Sequence, residues 1–318
     1  MVQKATHGTP RMDLGVAFHE YTTSKMRFIG DEILPTFGVA KEAATMSVTK
    51  RRNLTIPETK RANGATANRI ELYMDDMSYQ CVDHGLEGTV TDRDREKYAN
   101  DFDPEVEKTQ AIKIKMRLAR EKRIKDLVFN TSMWTGGDLY IDNSAAPWDV
   151  AASGIIKQVQ TGREKVRLNC GIPADSMIIS ESTLINMMNN TQVLGKFPGA
   201  LVLTEAMLRA QMAAIFGIRN LIVGQAVYNT ADEGQDFSGG EIWPDDYALL
   251  AVLGEEGLPL TEPQLGRTIL WEEYISDIEY VWMYRENQTK SDVICVEHSV
   301  DEKIFDAYFA QLMLIDVL

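Results

Sequence analysis

Residues 103–129 constrain the fold of this chain more than any other stretch. Asp103 stands where a helix N-cap belongs, Pro104 suits the first helical position, and Glu105 and Glu107 favour the positive end of the helix dipole. A helix from there to Phe129 would be about 39 Å long at 1.5 Å per residue, a spine rather than a connector. Its middle is ambiguous, because Ile112-Lys113-Ile114-Lys115-Met116-Arg117-Leu118 alternates with period two, as a half-buried strand does. The capped start and the helix formers of 119–129 bracket that passage, and the balance predicts helix over 104–129.

The 318 residues exceed the usual single domain of about 100 to 200, so two packed domains, or one with a large insertion, are expected around the spine. The composition, 44% hydrophobic and 25% charged, is that of an ordinary globular chain, and no stretch approaches the roughly 18 uninterrupted apolar residues of a membrane span. Residues 1–8 carry a charge with no apolar segment behind it, so no secretory signal is expected and use in a cytoplasm is. Cys81, Cys170 and Cys295 are odd in number and far apart, which predicts reduced, buried thiols. The net charge of −14 argues against general nucleic-acid binding. It is unevenly spread: residues 231–318 hold 20 acidic side chains against 4 basic ones.

Before the spine the pattern is loose. Residues 1–43 read as an extended arm with one short helix near 16–26. Two β-prone runs follow, one at the start of 46–57 and one at 69–74, joined by a long basic loop with Pro and Gly that carries Arg51, Arg52, Lys60 and Arg61. This protruding hairpin has too few apolar residues for a core of its own, so it is either a solvated loop or lies on another surface, such as a neighbouring copy. After the spine, 134–148 reads as a loop and domain boundary. An α/β module comes next, with helices at 150–166, 182–189 and 205–216, the last capped by Thr204 and ended by Gly217, and strands at 177–179 and 221–223. The last third reads as strands at 247–253, 267–271, 278–284, 293–297 and 309–317, returning to pair beside the spine.

Chemistry-bearing motifs are absent. The four histidines lie in no HExxH or paired-Cys context, and Cys81 with His84 reads as a buried pair rather than half a zinc site. No phosphate-binding loop and no GxSxG elbow occurs. Asp92 with Asp94, and Glu272 with Glu273, read as solvated charge runs. No catalytic, cofactor or metal site is predicted, and the reading is of an assembling, non-enzymatic protein. An α/β enzyme with an unrecognised site is the alternative from another class.

The order of several short motifs resembles the major capsid (head) proteins of tailed bacteriophages with the Hong Kong 97-type fold. The motifs are Ile33-Leu34-Pro35 with Val39, Arg61-Ala62-Asn63-Gly64, Tyr79-Gln80-Cys81, Leu86-Glu87, and Thr91-Asp92-Arg93-Asp94-Arg95. They continue through Arg120-Glu121-Lys122-Arg123, Phe129, Trp134, Ile215-Phe216-Gly217-Ile218, Leu221-Ile222-Val223-Gly224, Ile242-Trp243, and Leu265-Gly266-Arg267-Thr268 with Trp271. The resemblance implies an α+β subunit: N-terminal arm 1–43, extended β-hairpin loop 44–77, peripheral domain 78–150 with spine helix 104–129 and a sheet, an inserted α/β axial domain 151–261, and a return to the peripheral domain at 262–318. It further implies pentamers and hexamers closing into an icosahedral virion shell, assembled in the host cytoplasm around double-stranded DNA that is enclosed without sequence-specific binding. A separate scaffolding protein, a portal and a decoration protein are the implied partners, with no cofactor and no membrane. Candidate contacts between subunits are Arg51, Arg52, Lys60 and Arg61, which would meet acidic residues of a neighbour within 75–103 or 231–318. An encapsulin-like nanocompartment shell is the nearest alternative.

Overall fold

The long helix forms at Pro104–Val128, 25 residues, with the Asp103 side chain accepting from the Glu105 N–H and Pro104 in the first turn. In this computed structural model the described residues are 9–10, 27–49, 51–98, 103–197, 205–232, 234–236, 238–257, 259 and 262–315. The buried positions of the helix are Thr109, Ile112, Lys113, Met116, Arg120, Glu121, Ile124 and Val128, spaced by three and four. The period-two passage was misleading because charged residues occupy the buried stripe, and each finds a partner there. Lys113 lies 3.4 Å from Glu279, and Arg120 reaches Asp31 at 2.6 Å and the Thr268 hydroxyl at 3.2 Å. Glu121 accepts from the N–H groups of Ile29 and Gly30 at 3.0 and 2.8 Å and from Trp243 Nε1 at 2.8 Å.

The Glu121 contacts fix how the N-terminal segment enters. Gly30–Ile33 is a short helix whose N-cap, Ile29, offers no side-chain cap, so the carboxylate of the long helix supplies the missing acceptor. A Cβ at Gly30 would stand 2.7 Å from Ile124 Cδ1 and 2.9 Å from Glu121 Oε2, so only glycine permits this approach. Burial pushes the Glu121 carboxyl up, while the N–H groups of Ile29, Trp243 and Gly30, and the neighbouring Arg120, pull it down.

The strands in chain order are β1 Thr9–Pro10, β2 Thr36–Val39, β3 Ala43–Thr49, β4 Met74–Gln80, β5 Val82–Thr91, β6 Tyr140–Asp142, β7 Ser176–Ser180 and β8 Asn220–Gly224. They continue as β9 Val227–Asn229, β10 Gly239–Glu241, β11 Tyr247–Ala251, β12 Gly266–Trp271, β13 Tyr280–Glu286, β14 Ser291–Ile304 and β15 Ala310–Leu314. One sheet is centred on β14: β12 and β13 lie end to end along one edge, β5 pairs along the other, and β2 runs parallel to β12. The N-terminal half of the long helix covers it through Ile112 and Met116, packed with Val90, Ile294 and Val296.

The second sheet has the order β6-β15-β11-β7-β8. Both of its faces are buried, which is why its strands read as continuous apolar runs. Met177, Ile179, Ala248 and Leu250 face the helices Ile155–Cys170, Glu181–Asn189 and Glu205–Phe216, while Ile178, Ile222, Leu249 and Leu312 face Ile124, Val128, Phe129 and Trp134. The C-terminal end of the long helix therefore shares its core with this sheet.

Several sequence expectations shift. The strand expected at 69–74 begins only at Met74, because its side chains find no cross-strand partner before that point. The loop 134–148 contains β6, paired parallel with β15. The helix expected at 150–166 runs Ile155–Cys170, entered at Gly154 and ended by Gly171 at φ 83. The strands expected at 247–253 and 309–317, now β11 and β15, pair within the second sheet rather than in the sheet beside the spine. The helix expected at 16–26 and the Thr204 cap lie outside the described residues. The three cysteines are free and buried as expected. Cys81 and His84 do not pair: Cys81 rests against the Ile269 carbonyl, and His84 stands directly across from His298, ring centroids 5.5 Å apart. Asp92 stays solvated, its side chain 47% exposed, but it is also ion-paired, since Arg285 grips both its oxygens at 2.6 Å; Asp94 accepts from the Thr91 hydroxyl. Among the described residues no helix is long and apolar enough to cross a membrane.

Two outcomes are expected for stability. Glu121→Ala leaves three buried donors without their acceptor and costs about 3–5 kcal/mol in urea unfolding, with a smaller loss for Glu121→Gln, which keeps one acceptor oxygen. His298 is buried beside Arg123 and Arg120, and its pKa is pushed down to about 4 by burial and then by those cations and His84. A depressed histidine is neutral in the folded chain while the unfolded chain protonates, so stability is fully present above about pH 6.5 and falls toward pH 4. Unfolding free energy measured across that window shows this slope, and His298→Gln flattens it.

Candidate assembly surface

The region from Ala43 to Gln80 leaves the body of the molecule as an antiparallel pair, with Ala43 opposite Gln80 and Thr49 opposite Met74. Beyond that register the ladder stops, and apart from a short 3-10 turn at Arg51–Asn53 the chain runs as an extended loop to Tyr73. Side chains brace it in place of a ladder. Asn53 donates to the Tyr73 carbonyl and accepts from the Tyr73 N–H, both at 2.8 Å, closing the loop at its root as a strand pair would. Further out Asn68 donates to the Glu58 carbonyl at 2.7 Å, and Gly64 turns the tip at φ 80.

Alternation continues along both legs of this loop. Leu54 and Ile56 on one leg, and Ile70, Leu72 and Met74 on the other, follow period two, and none is covered: Ile56 is 99% exposed, Ile70 72% and Leu72 68%. In the sheet Tyr140–Asp142, Ala310–Leu314, Tyr247–Ala251, Ser176–Ser180 and Asn220–Gly224 the apolar residues are buried by helices on both faces; along this loop the described residues offer no such cover. Contiguous apolar surface of this kind marks an interaction site.

The charged residues expected as contacts are divided along the loop. Lys60 and Arg61 lie exposed near the tip, where the Lys60 N–H is held by Glu58. Arg51 lies at the root, with its guanidinium 3.1 Å from the centre of the Tyr308 ring. The Arg52 side chain lies outside the described residues. Sequence reasoning chose these cations and passed over Leu54, Ile56, Ile70 and Leu72; the missed signal was apolar alternation in a segment with no partner in reach.

The acidic C-terminal third has a large internal role. Glu279 pairs with Lys113 and Arg117, Glu302 with Arg123, and Asp292 with Arg95 and Arg285. Those acids neutralise cations on and around the long helix. Glu255, Glu256, Glu262, Glu272, Glu273 and Asp277 remain exposed.

Among the described residues no group of three or more His, Cys, Asp or Glu is placed to hold a metal ion. A cleft of about 550 Å³ is lined by Arg27, Arg209 and Arg219 together with Glu32, Glu255 and Glu256, and Arg27–Glu32 and Arg219–Glu255 are already ion-paired.

No family model matches the chain. By sequence it is similar to the major capsid protein of Burkholderia phage BcepMu, 25% identical over 256 residues that cover 78% of this chain and 79% of the relative. It is likewise similar to the major capsid protein of Pseudomonas phage JBD67, 24% identical over 218 residues, 68% of this chain and 69% of the relative. By fold it is similar to a phage-related protein from Bordetella bronchiseptica RB50, with a TM-score of 0.69 at 19% identity over 98% of this chain and 97% of the other. The capsid protein of cyanophage P-SCSP1u gives 0.59 at 10% identity, covering 99% and 90%. The SrpI encapsulin of Synechococcus elongatus PCC 7942 gives 0.54 at 10% identity, covering 98% and 92%.

Because Ile56 and Leu72 touch no core, Ile56→Ser with Leu72→Ser leaves the unfolding free energy of the isolated subunit within about 0.5 kcal/mol of the parent. The same pair of changes lowers its retention on a hydrophobic-interaction column.

Proposed function

We infer that this chain is a major capsid protein of the tailed-phage type, with the α+β Hong Kong 97-type fold, and that its copies build the icosahedral head of a virion. It is a structural subunit and not an enzyme. The sequence likeness to two phage major capsid proteins carries this reading, since it spans most of the chain. Fold alone does not, because an encapsulin shares it. A nanocompartment shell would have to explain why the sequence relatives are head proteins.

Finer assignments follow from this reading. The arm is 1–43 and the extended loop 44–77; the peripheral unit takes 78–150 and 262–318, and the axial unit 151–261. Sheet pairing supports moving 140–142 and 310–314 into the axial unit, where β6 and β15 complete the five-stranded sheet. In pentamers and hexamers the loop lies on a neighbouring copy. Ile56, Ile70 and Leu72 supply apolar contact, and Arg52, Lys60 and Arg61 meet acids of that neighbour, whereas Arg51 lies over Tyr308 of its own chain. Glu272, Glu273 and Asp277 suit that role better than Glu279, Glu302 or Asp292, which already hold cations of their own chain. Each exposed ion pair contributes about 0–1 kcal/mol, so the shell depends on repetition of the contact. A scaffolding protein, a portal and a decoration protein are the further partners this role calls for, with DNA enclosed but not read.

Electron microscopy of the protein expressed with a scaffolding protein tests the reading, with closed shells as the expected result and discrete small oligomers as the result against it. Within that assay Lys60→Glu with Arg61→Glu, and separately Ile56→Ser with Leu72→Ser, each lower the yield of closed shells by about fivefold or more. Unchanged particles from either pair would remove those residues from the interface.

A further inference from the structure

The loop that projects toward a neighbour also touches its own subunit, at two places close to its root. The Arg51 guanidinium lies over the Tyr308 ring, 3.1 Å from its centre. Three residues on, Leu54 approaches Gly171, its Cδ1 3.6 Å from where a Cβ of that glycine would stand, while the side chain itself stays 68% exposed.

Both receiving points belong to a firm part of the molecule. Tyr308 sits in the 3-10 turn Ala307–Phe309, capped by the Asp306 side chain, and is partly buried against the core under the second sheet. Gly171 is the left-handed end of the helix Ile155–Cys170. Neither lies in the sheet from which the loop emerges. The root of the loop is thus held against the turn Ala307–Phe309 beside the end of the helix Ile155–Cys170, while Ile56, Ile70 and Leu72 stay uncovered.

We propose that Arg51 on Tyr308, with Leu54 on Gly171, is a self-docking latch that holds the extended loop on its own subunit before assembly and must open for the loop to reach a neighbour. The proposal rests on the capsid reading above for what the released loop does, and on the contacts alone for the latch. A cation over an aromatic ring that solvent still reaches is a weak contact. Weakness suits a latch, because the apolar legs offer a neighbouring copy more surface than the root offers its own chain. The latch slows premature association without preventing it, and its opening taxes the apparent affinity by the fraction of subunits unlatched.

This assigns Arg51 a role opposite in sign to that of Lys60 and Arg61. If Arg51 were only an intersubunit contact, removing its charge would slow assembly. As a latch, removing it speeds assembly. The test follows light scattering of purified subunits after assembly is triggered, for the parent, Arg51→Gln, Tyr308→Leu and the double variant. Arg51→Gln and Tyr308→Leu are each expected to raise the initial rate about two- to fivefold, and the double variant no more than either alone, since both break one contact. A slower or unchanged rate for Arg51→Gln would overturn the latch. Arg51 is exposed, so that variant folds even if Tyr308→Leu does not. Chymotryptic cleavage within 54–73 of the unassembled subunit gives an independent reading: it is faster in Arg51→Gln, and equal cleavage overturns the latch even if no shells form. A parent that forms no shells while Arg51→Gln is cleaved faster would leave the latch standing and count against the capsid reading instead.

Discussion

The carboxylate of Glu121 ties together segments that the chain sets far apart. It lies on the long helix, accepts from the backbone of Ile29 and Gly30 before the hairpin, and accepts from Trp243 beyond the second sheet's helices. A buried carboxylate is costly unless its oxygens are satisfied, and here three donors meet it. Arg120, one residue earlier, holds Asp31 and Thr268, so adjacent side chains clamp the same entering segment to the helix and to β12. Trp243 in turn packs edge-on against Phe129, ring centroids 5.3 Å apart, next to the end of the helix. The helix is a spine because it carries this junction as well as because of its length.

Around the junction the two sheets divide the helix between them. Its N-terminal half covers the sheet centred on β14, and its C-terminal end enters the core shared with β7, β8, β11 and β15. The acids that give the C-terminal third its charge fall where the helix presents cations: Glu279 opposite Lys113 and Arg117, Glu302 opposite Arg123. Charge segregation along the sequence is thereby converted to pairing in space, and the surplus remains on loops such as 255–256 and 272–273.

How far the sequence reveals this depends on whether a signal is local. The Asp103-Pro104 start, the Gly217 stop at φ 69 and the apolar runs of β7 and β8 depend on neighbouring residues, and the structure places them where periodicity and capping put them. Lys113 disturbed the helical pattern, and the buried places of Arg120 and Glu121 left no mark in it, because their partners, Glu279, Asp31 and the Ile29 backbone, lie more than 80 residues away. The same holds for β15, an apolar strand whose choice between two sheets rests on long-range register alone. His84 looked like a partner for Cys81 at a separation of three, yet strand pairing turned it to His298. At the candidate surface the basic residues of the loop were legible as composition; the apolar alternation of Leu54, Ile56, Ile70 and Leu72 looked like strand until the absence of a covering layer gave it another meaning.

That loop is the place where the consistency of the rest fails. The other large apolar groups mostly lie under helices or between sheets, and the buried charges on the helix are paired, whereas residues 54–74 keep a row of apolar side chains in water and hold their shape with two asparagine clamps instead of a ladder. Local braces of that kind limit the entropy lost when the loop meets a partner, since its two legs are already aligned at the root. They do not supply cover. A subunit that projects a row of uncovered apolar side chains outward gains by covering them with another molecule, and a second copy is the partner always available at matching concentration. Closing a shell then multiplies a contact that is weak singly, so modest changes at Ile56 or Lys60 carry through to the assembled particle far more strongly than to the isolated chain.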